Sequence, residues 1–198
     1  MKVAILDTGA DINHRSIKDN IVDCYNAINK SRDVFDICGH GTHIASIIAS
    51  LAPDCELMII KVLDDKGGGQ IPYINEGIGY ALQYGADIIN ASLGTNIYDE
   101  CMHTLVKVCN SKGIKVIGAA AYYNGLSYPA NFPESVSVGV CGPSGGICDF
   151  NTHSEYIDMY APGVDIVGAR ANTDKYDKVL TGTSQSCAHI TGLIASRH

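Results

Sequence analysis

Five short apolar runs alternate with stretches of helical periodicity, and this alternation admits few architectures. The runs are Val3–Leu6, Leu57–Leu63, Asp87–Leu93, Lys115–Ala121 and Ser135–Val140. They are rich in β-branched residues and nearly continuous in apolar character, as strands become when crossover helices cover both faces of a sheet. Between them, His40–Ala52 spaces Ile44, Ile47, Ile48 and Leu51 along one helical stripe. Ile71–Tyr84 does the same with Ile74, Ile78, Ala81 and Leu82, and Cys101–Cys109 with Leu105, Val108 and Cys109. Gly85 and Gly113 stand just past two of these stretches, where helices take their C-terminal caps. The pattern predicts an α/β fold, a mainly parallel central sheet with helices on both faces. After residue 141 the pattern changes to short strands and turns, punctuated by Pro143-Ser144-Gly145-Gly146 and Ala161-Pro162-Gly163.

A chain of 198 residues fits one domain, spanning 1–198, with room for a sizeable core. With 46% hydrophobic and 18% charged residues it is not a disordered chain. A net charge of −7 without any Lys/Arg cluster argues against nucleic acid as a partner. No apolar run approaches the roughly 20 residues of a membrane span, so no membrane partner is expected. Met1 leads at once into the first apolar run, without the charged leader and cleavage site of a secretory signal. The eight cysteines form no C-x-x-C pair, and a domain of this size needs no covalent staples. The expectation is therefore a cytoplasmic protein with reduced thiols.

Three motifs carry nucleophilic chemistry. Asp7-Thr8-Gly9 follows the first apolar run, placing a carboxylate where a strand ends and a tight turn begins. His40-Gly41-Thr42-His43 opens a helix with one histidine at its mouth and a second one turn inside, the latter expected to be packed and hydrogen-bonded. A metal pair at this spacing lacks the carboxylate context of helix-borne metal sites. Gly182-Thr183-Ser184 opens a segment in which the backbone N–H groups and positive dipole end of a helix can stabilise developing negative charge. A serine hydroxyl becomes a nucleophile when a histidine takes its proton and a carboxylate orients that histidine. Asp7, His40 and Ser184 occur in one of the chain orders such triads adopt.

With these motifs the chain resembles the subtilisin-like serine proteases, the subtilases, over nearly its whole length. Val3–Gly9 is similar to the family's aspartate strand and His40–His43 to its histidine helix. Asn90-Ala91-Ser92-Leu93-Gly94 resembles its substrate-binding strand. Tyr128-Pro129, Val136–Gly139, Ala161-Pro162-Gly163 and Gly182-Thr183-Ser184 complete the series in register. The resemblance implies a subtilisin-like fold and a serine endopeptidase acting through Asp7, His40 and Ser184 by way of an acyl-enzyme. It implies a peptide or protein substrate held as an extended strand between Gly67-Gly68-Gly69 and Ser92-Leu93-Gly94, with Ala120 and Ala121 in the wall of the pocket for the side chain at the cleaved bond. It also implies a cis Tyr128–Pro129 bond.

The chain departs from the family in three places. The family's oxyanion asparagine follows an Ala-Ala-Gly run, where this chain reads Ala119-Ala120-Ala121-Tyr122-Tyr123-Asn124-Gly125. The position falls to Asn124 with a one-residue insertion, or to Tyr123 without one. The family's calcium loop is missing between Leu51 and Ala52-Pro53-Asp54, so no metal or other cofactor is expected. The chain starts almost at Asp7 and ends shortly after Ser184, and a second copy, a partner chain or a missing segment is expected to cover the apolar faces this leaves. Cys38 and Cys187 lie close in sequence to His40 and Ser184; they read as small buried or surface thiols, with the alternative that, if reduced, they make activity sensitive to oxidation.

Two other readings stand beside this one. A subtilase-fold module that binds peptides without turning them over is consistent with the altered oxyanion segment. Leu6-Asp7-Thr8-Gly9-Ala10-Asp11 also matches the catalytic loop of retroviral-type aspartic proteases, which predicts an all-β dimer sharing a proton between two carboxylates.

Overall fold

The computed structural model describes residues 1–123, 125–152 and 154–197. In it the five apolar runs form β1 (Lys2–Asp7), β3 (Glu56–Lys61), β4 (Ile88–Ala91), β5 (Lys115–Ala119) and β6 (Val136–Cys141). The periodic stretches form α1 (His40–Leu51), α2 (Ile71–Gln83) and α3 (Glu100–Ser111). Two strands, β2 (Ile21–Asn26) and β7 (Met159–Pro162), complete a sheet of order β2-β3-β1-β4-β5-β6-β7, parallel throughout. Its edge strand β2 has only one fully buried residue, so its sequence carries no continuous apolar run to announce it. A short antiparallel pair, β8 (Ile166–Gly168) with β9 (Lys178–Leu180), precedes α4 (Thr183–Ala195).

Alternate side chains of each strand feed two cores, because successive side chains of a strand point to opposite faces. Val3, Ile5, Leu57, Ile59, Ile117 and Val138 pack under α1 and α4. Ala4, Leu6, Met58, Ile60, Ile89 and Val116 pack under α2 and α3. The α4 helix crosses α1 closely at Gly192, where a Cβ would lie 2.8 Å from that of Leu51. The Tyr128–Pro129 bond is cis. Among the described residues no helix is long and apolar enough to cross a membrane, and all eight cysteines are free thiols.

The strand order turns at β1, whose neighbours β3 and β4 continue the chain on opposite sides. In open α/β sheets ligands bind outside the carboxyl ends of the strands at such a point. Asp7 ends β1, and Ser92 and Ala120 directly follow β4 and β5 at the same edge. This parallel architecture excludes the all-β aspartic-protease alternative.

Candidate active site

Asp7 is 1% exposed and faces an imidazole. His40 Nδ1 lies 2.8 Å from Asp7 Oδ1 and 3.0 Å from Oδ2. A carboxylate only accepts, so Nδ1 carries the proton and Nε2 is left with its lone pair. Burial alone would lower the His40 pKa, but the charge and hydrogen bond of Asp7 outweigh it and, with Asp36 adding, hold it above the ordinary histidine value. The ring is about a quarter exposed, on the cleft side.

Local chemistry explains why these two segments meet. The N–H of Thr8 donates to Asp7 Oδ1 at 2.7 Å. The Thr8 hydroxyl accepts from Gly41 N at 3.0 Å and donates to Asp36 Oδ1 at 2.8 Å, tying the turn after β1 to the start of α1. A side chain at Gly41 would collide with the carbonyl of Gly9, so only glycine lets the helix come this close to Asp7.

The N-cap of α1, Gly39, has no side chain to cap the helix, and Asp36 takes the task. This fully buried carboxylate accepts from Gly39 N at 2.8 Å, Thr42 N at 2.9 Å and the Thr42 hydroxyl at 2.6 Å. Sequence reasoning missed Asp36, although an Asp just ahead of an apolar-periodic stretch is a helix-start signal that could have found it. It also missed buried Lys61, whose ammonium donates to Thr8 O at 2.6 Å, Phe35 O at 3.1 Å and Asp65 at 3.0 Å, joining the segments that follow β1, β2 and β3.

Ser184 lies in the first turn of α4. Its hydroxyl donates to Ser92 O at 3.0 Å, and the Ser92 hydroxyl donates back to Ser184 O at 3.0 Å. Asn90 supports this exchange from the sheet, giving Nδ2 to Ser92 Oγ at 3.0 Å and accepting the Thr191 hydroxyl at 2.8 Å. Among the described residues no hydrogen bond joins Ser184 to His40. The structure thus pairs Asp7 with His40 and Ser184 with Ser92, and Ser92 itself lines the His40 cleft.

That cleft, of about 710 Å³, is lined by His40, Cys38, Gly67, Gly69 and Ser92-Leu93-Gly94, with Leu63, Ile71, Pro72, Ile74 and Ile97 as its apolar wall. A second, of about 260 Å³, shares Leu93-Gly94-Thr95 and is lined by Ala120, Ala121, Tyr122 and Ser184. Both expected substrate edges border the first cleft, though Gly68 is not among its lining residues. The Gly67–Gly69 turn is shaped by Asp64, which accepts from Lys66 N at 2.8 Å and Gly68 N at 2.9 Å. Gly67 has φ +79°, and a Cβ at Gly69 would meet Leu63 Cδ2 at 2.5 Å. The positive φ of Gly67 is therefore a requirement of the loop's own fold, while a side chain at Gly69 would displace the end of Leu63.

Of the two oxyanion candidates, Asn124 lies outside the described residues. Tyr123 is 69% exposed, with φ 53°, and does not line the Ser184 cleft. Its neighbour Tyr122 does.

A model of the "Subtilase family" matches residues 1–197. The chain belongs to the subtilase family. This subtilase is 35% identical to the major intracellular serine protease of Bacillus subtilis, over 98% of this chain and 67% of that one. It is 32% identical to a thermophilic serine proteinase of Bacillus sp. strain AK1, over 98% of this chain and 51% of the relative. Subtilisin E of Bacillus subtilis is 33% identical, with 100% and 56% covered. The subtilase therefore spans about half to two thirds of the length of these curated relatives. A solved cold-adapted subtilisin-like serine proteinase superposes with TM-score 0.90 at 27% identity, covering 98% of this chain and 73% of that one.

The second histidine of the motif, His43, is fully buried in α1. Its Nε2 donates to Ile166 O and Lys178 O, both at 3.1 Å, pinning the β8–β9 hairpin to the helix. Burial lowers its pKa below the ordinary value. Cys187 is buried against Asn90 and the carbonyl of Ile117, and burial pushes its thiol up to about 12. That environment is the one expected of a small buried thiol, and a buried neutral thiol is inert. Cys38 is exposed at the cleft. Among the described residues no group of three or more His, Cys, Asp or Glu is arranged to hold a metal ion. The connection from α1 to β3, residues 52–55, is short and contributes one carboxylate, Asp54.

Proposed function

We propose that this subtilase is a serine endopeptidase that cleaves peptide or protein substrates through an acyl-enzyme on Ser184. The observation that carries the reading is the Asp7–His40 hydrogen bond at the carboxyl edge of the sheet, which leaves Nε2 as the basic nitrogen of a ring lining the substrate cleft. Ser184 Oγ turns from Ser92 O to His40 Nε2 when substrate arrives, and apo hydrogen bonds commonly rearrange in this way. His40 takes the hydroxyl proton as Oγ attacks the scissile carbonyl. The tetrahedral oxyanion accepts the Ser184 N–H, a donor in the first turn of α4 that has no partner among the described residues. His40 then protonates the leaving amine, leaving the acyl-enzyme, and water attacks that ester by the same steps.

The apolar wall formed by Leu63, Ile71, Pro72, Ile74 and Ile97 supports substrates with apolar side chains ahead of the cleaved bond. An extended peptide gains main-chain hydrogen bonds from the edges at residues 67–69 and 92–94. The chemistry rests on side chains of the chain itself and calls on no cofactor. Relatives named as intracellular serine proteases, from Bacillus subtilis and Paenibacillus polymyxa, support an intracellular setting.

Labelling with a fluorophosphonate tests the proposal. Wild-type protein takes up the probe at Ser184, and the Ser184→Ala and His40→Ala variants do not. Folded wild-type protein that stays unlabelled would favour the peptide-binding module instead.

A further inference from the structure

We infer that the hydroxyl of Tyr122 is the side-chain donor to the oxyanion, in place of an asparagine. The inference rests on the serine-endopeptidase reading and assigns one of its missing parts. The Thr183 N–H donates to Tyr122 Oη at 3.3 Å, so the phenol oxygen sits at the N-terminus of α4, one residue from Ser184. Successive N–H groups in the first turn of a helix point out of the same end. An oxygen held by Thr183 N–H therefore lies beside the point served by Ser184 N–H.

A phenol has one proton and two lone pairs. One lone pair takes the Thr183 N–H, and the proton has no acceptor among the described residues. It is free to turn toward the cleft that Tyr122 and Ser184 line together. Accepting the Thr183 N–H also polarises the O–H, which makes it a stronger donor.

The backbone of Tyr122 forms an antiparallel bridge with Asn151, whose buried side chain is fixed to Val140 N at 2.7 Å and Val140 O at 2.8 Å, so the main chain that carries the ring is anchored. Phe150 meets the ring edge-on, with centroids 5.7 Å apart. Gly182 completes the fit, because a Cβ there would lie 2.5 Å from Oη. Oxyanion donors act by being positioned before charge develops, and the Thr183 N–H and the Phe150 contact position this hydroxyl on a residue that is 46% exposed.

The experiment compares Tyr122→Phe, Tyr123→Phe and Asn124→Ala with wild type, using peptide ester hydrolysis and the affinity of a peptide boronate, which forms a tetrahedral adduct with the serine. Tyr122→Phe keeps the ring and removes only the hydroxyl. It is expected to lower kcat about 100-fold with KM within about 3-fold, to weaken the boronate by a similar factor, and to leave the melting temperature near wild type. The other two variants stay within about 3-fold of wild type. Tyr122→Phe with undiminished kcat and boronate affinity, or a large loss confined to Asn124→Ala, overturns the assignment while the peptidase reading stands. Wild-type protein that neither hydrolyses the ester nor binds the boronate overturns both.

Discussion

Ser92 and Ser184 hold each other by reciprocal hydrogen bonds, each hydroxyl donating to the other's carbonyl at 3.0 Å. The end of β4 and the start of α4 are thereby locked in one register, and the proposed nucleophile rests with its proton given to the sheet. Removing the Ser92 hydroxyl leaves the Asn90 amide and the Ser184 carbonyl short of a partner in a buried place. Ser92→Ala is expected to lose about 1–3 kcal/mol of stability, read as a lowered midpoint in urea, and to slow hydrolysis as Ser184 loses its anchor.

The raised pKa of His40 sets the pH dependence of the proposed activity. General-base action needs the neutral ring, so kcat/KM is expected to climb with pH through an inflection above the ordinary histidine value of about 6.5. Asp7→Asn removes the charge that opposes burial, moves the inflection to lower pH and reduces kcat about 10⁴-fold. A pH–rate series on both proteins checks the two effects together.

Stability is expected to respond to His43 on the acid side of neutrality. Its folded pKa is lowered, so the stability it contributes is complete above the unfolded value of about 6.5 and is lost as pH falls through the folded value. His40 behaves oppositely. Its raised folded pKa gives a contribution complete below about 6.5 and lost as pH rises through the folded value. The two therefore act in different windows. His43→Gln keeps a donor for Ile166 O and Lys178 O without a titrating ring, and melting curves between pH 7.5 and 5 should show a shallower acid decline for it than for wild type.

Asp36 is expected to be a large single contributor to the integrity of the site. Replacing it with Ala strips acceptors from Thr8, Gly39 and Thr42 at once. A loss of about 3 kcal/mol or more is expected, roughly 6–12 °C in melting temperature for a chain of this size. Hydrolysis should fall more than stability alone explains, since α1 carries His40.

Thiol chemistry should separate Cys38 from Cys187. Under native conditions iodoacetamide is expected to modify Cys38, exposed at the cleft, and to reduce hydrolysis by crowding the substrate strand. Cys187, fully buried, should react only after unfolding. Peptide mapping by mass spectrometry before and after denaturation reads both outcomes, and Cys38→Ser should abolish the inhibition.

What one-dimensional order determined here is whatever depends on residues near one another in the chain. Continuous apolar runs specified the inner strands because both faces of a parallel sheet are covered. Helical stripes specified α1, α2 and α3, and short motifs at the strand and helix ends marked Asp7, His40 and Ser184. Edge strand β2 escaped notice because an edge need bury only part of itself, which leaves no periodic signature. The tertiary structure alone decided which groups meet across long separations. Asp36 caps a helix whose own N-cap is glycine, Ser92 exchanges hydrogen bonds with a residue 92 positions away, and Tyr122 reaches the first turn of α4 from 61 positions away. No local preference encodes such contacts. They arise when seven strands register side by side and bring their carboxyl ends, together with the helix starts that follow, to one edge of the sheet.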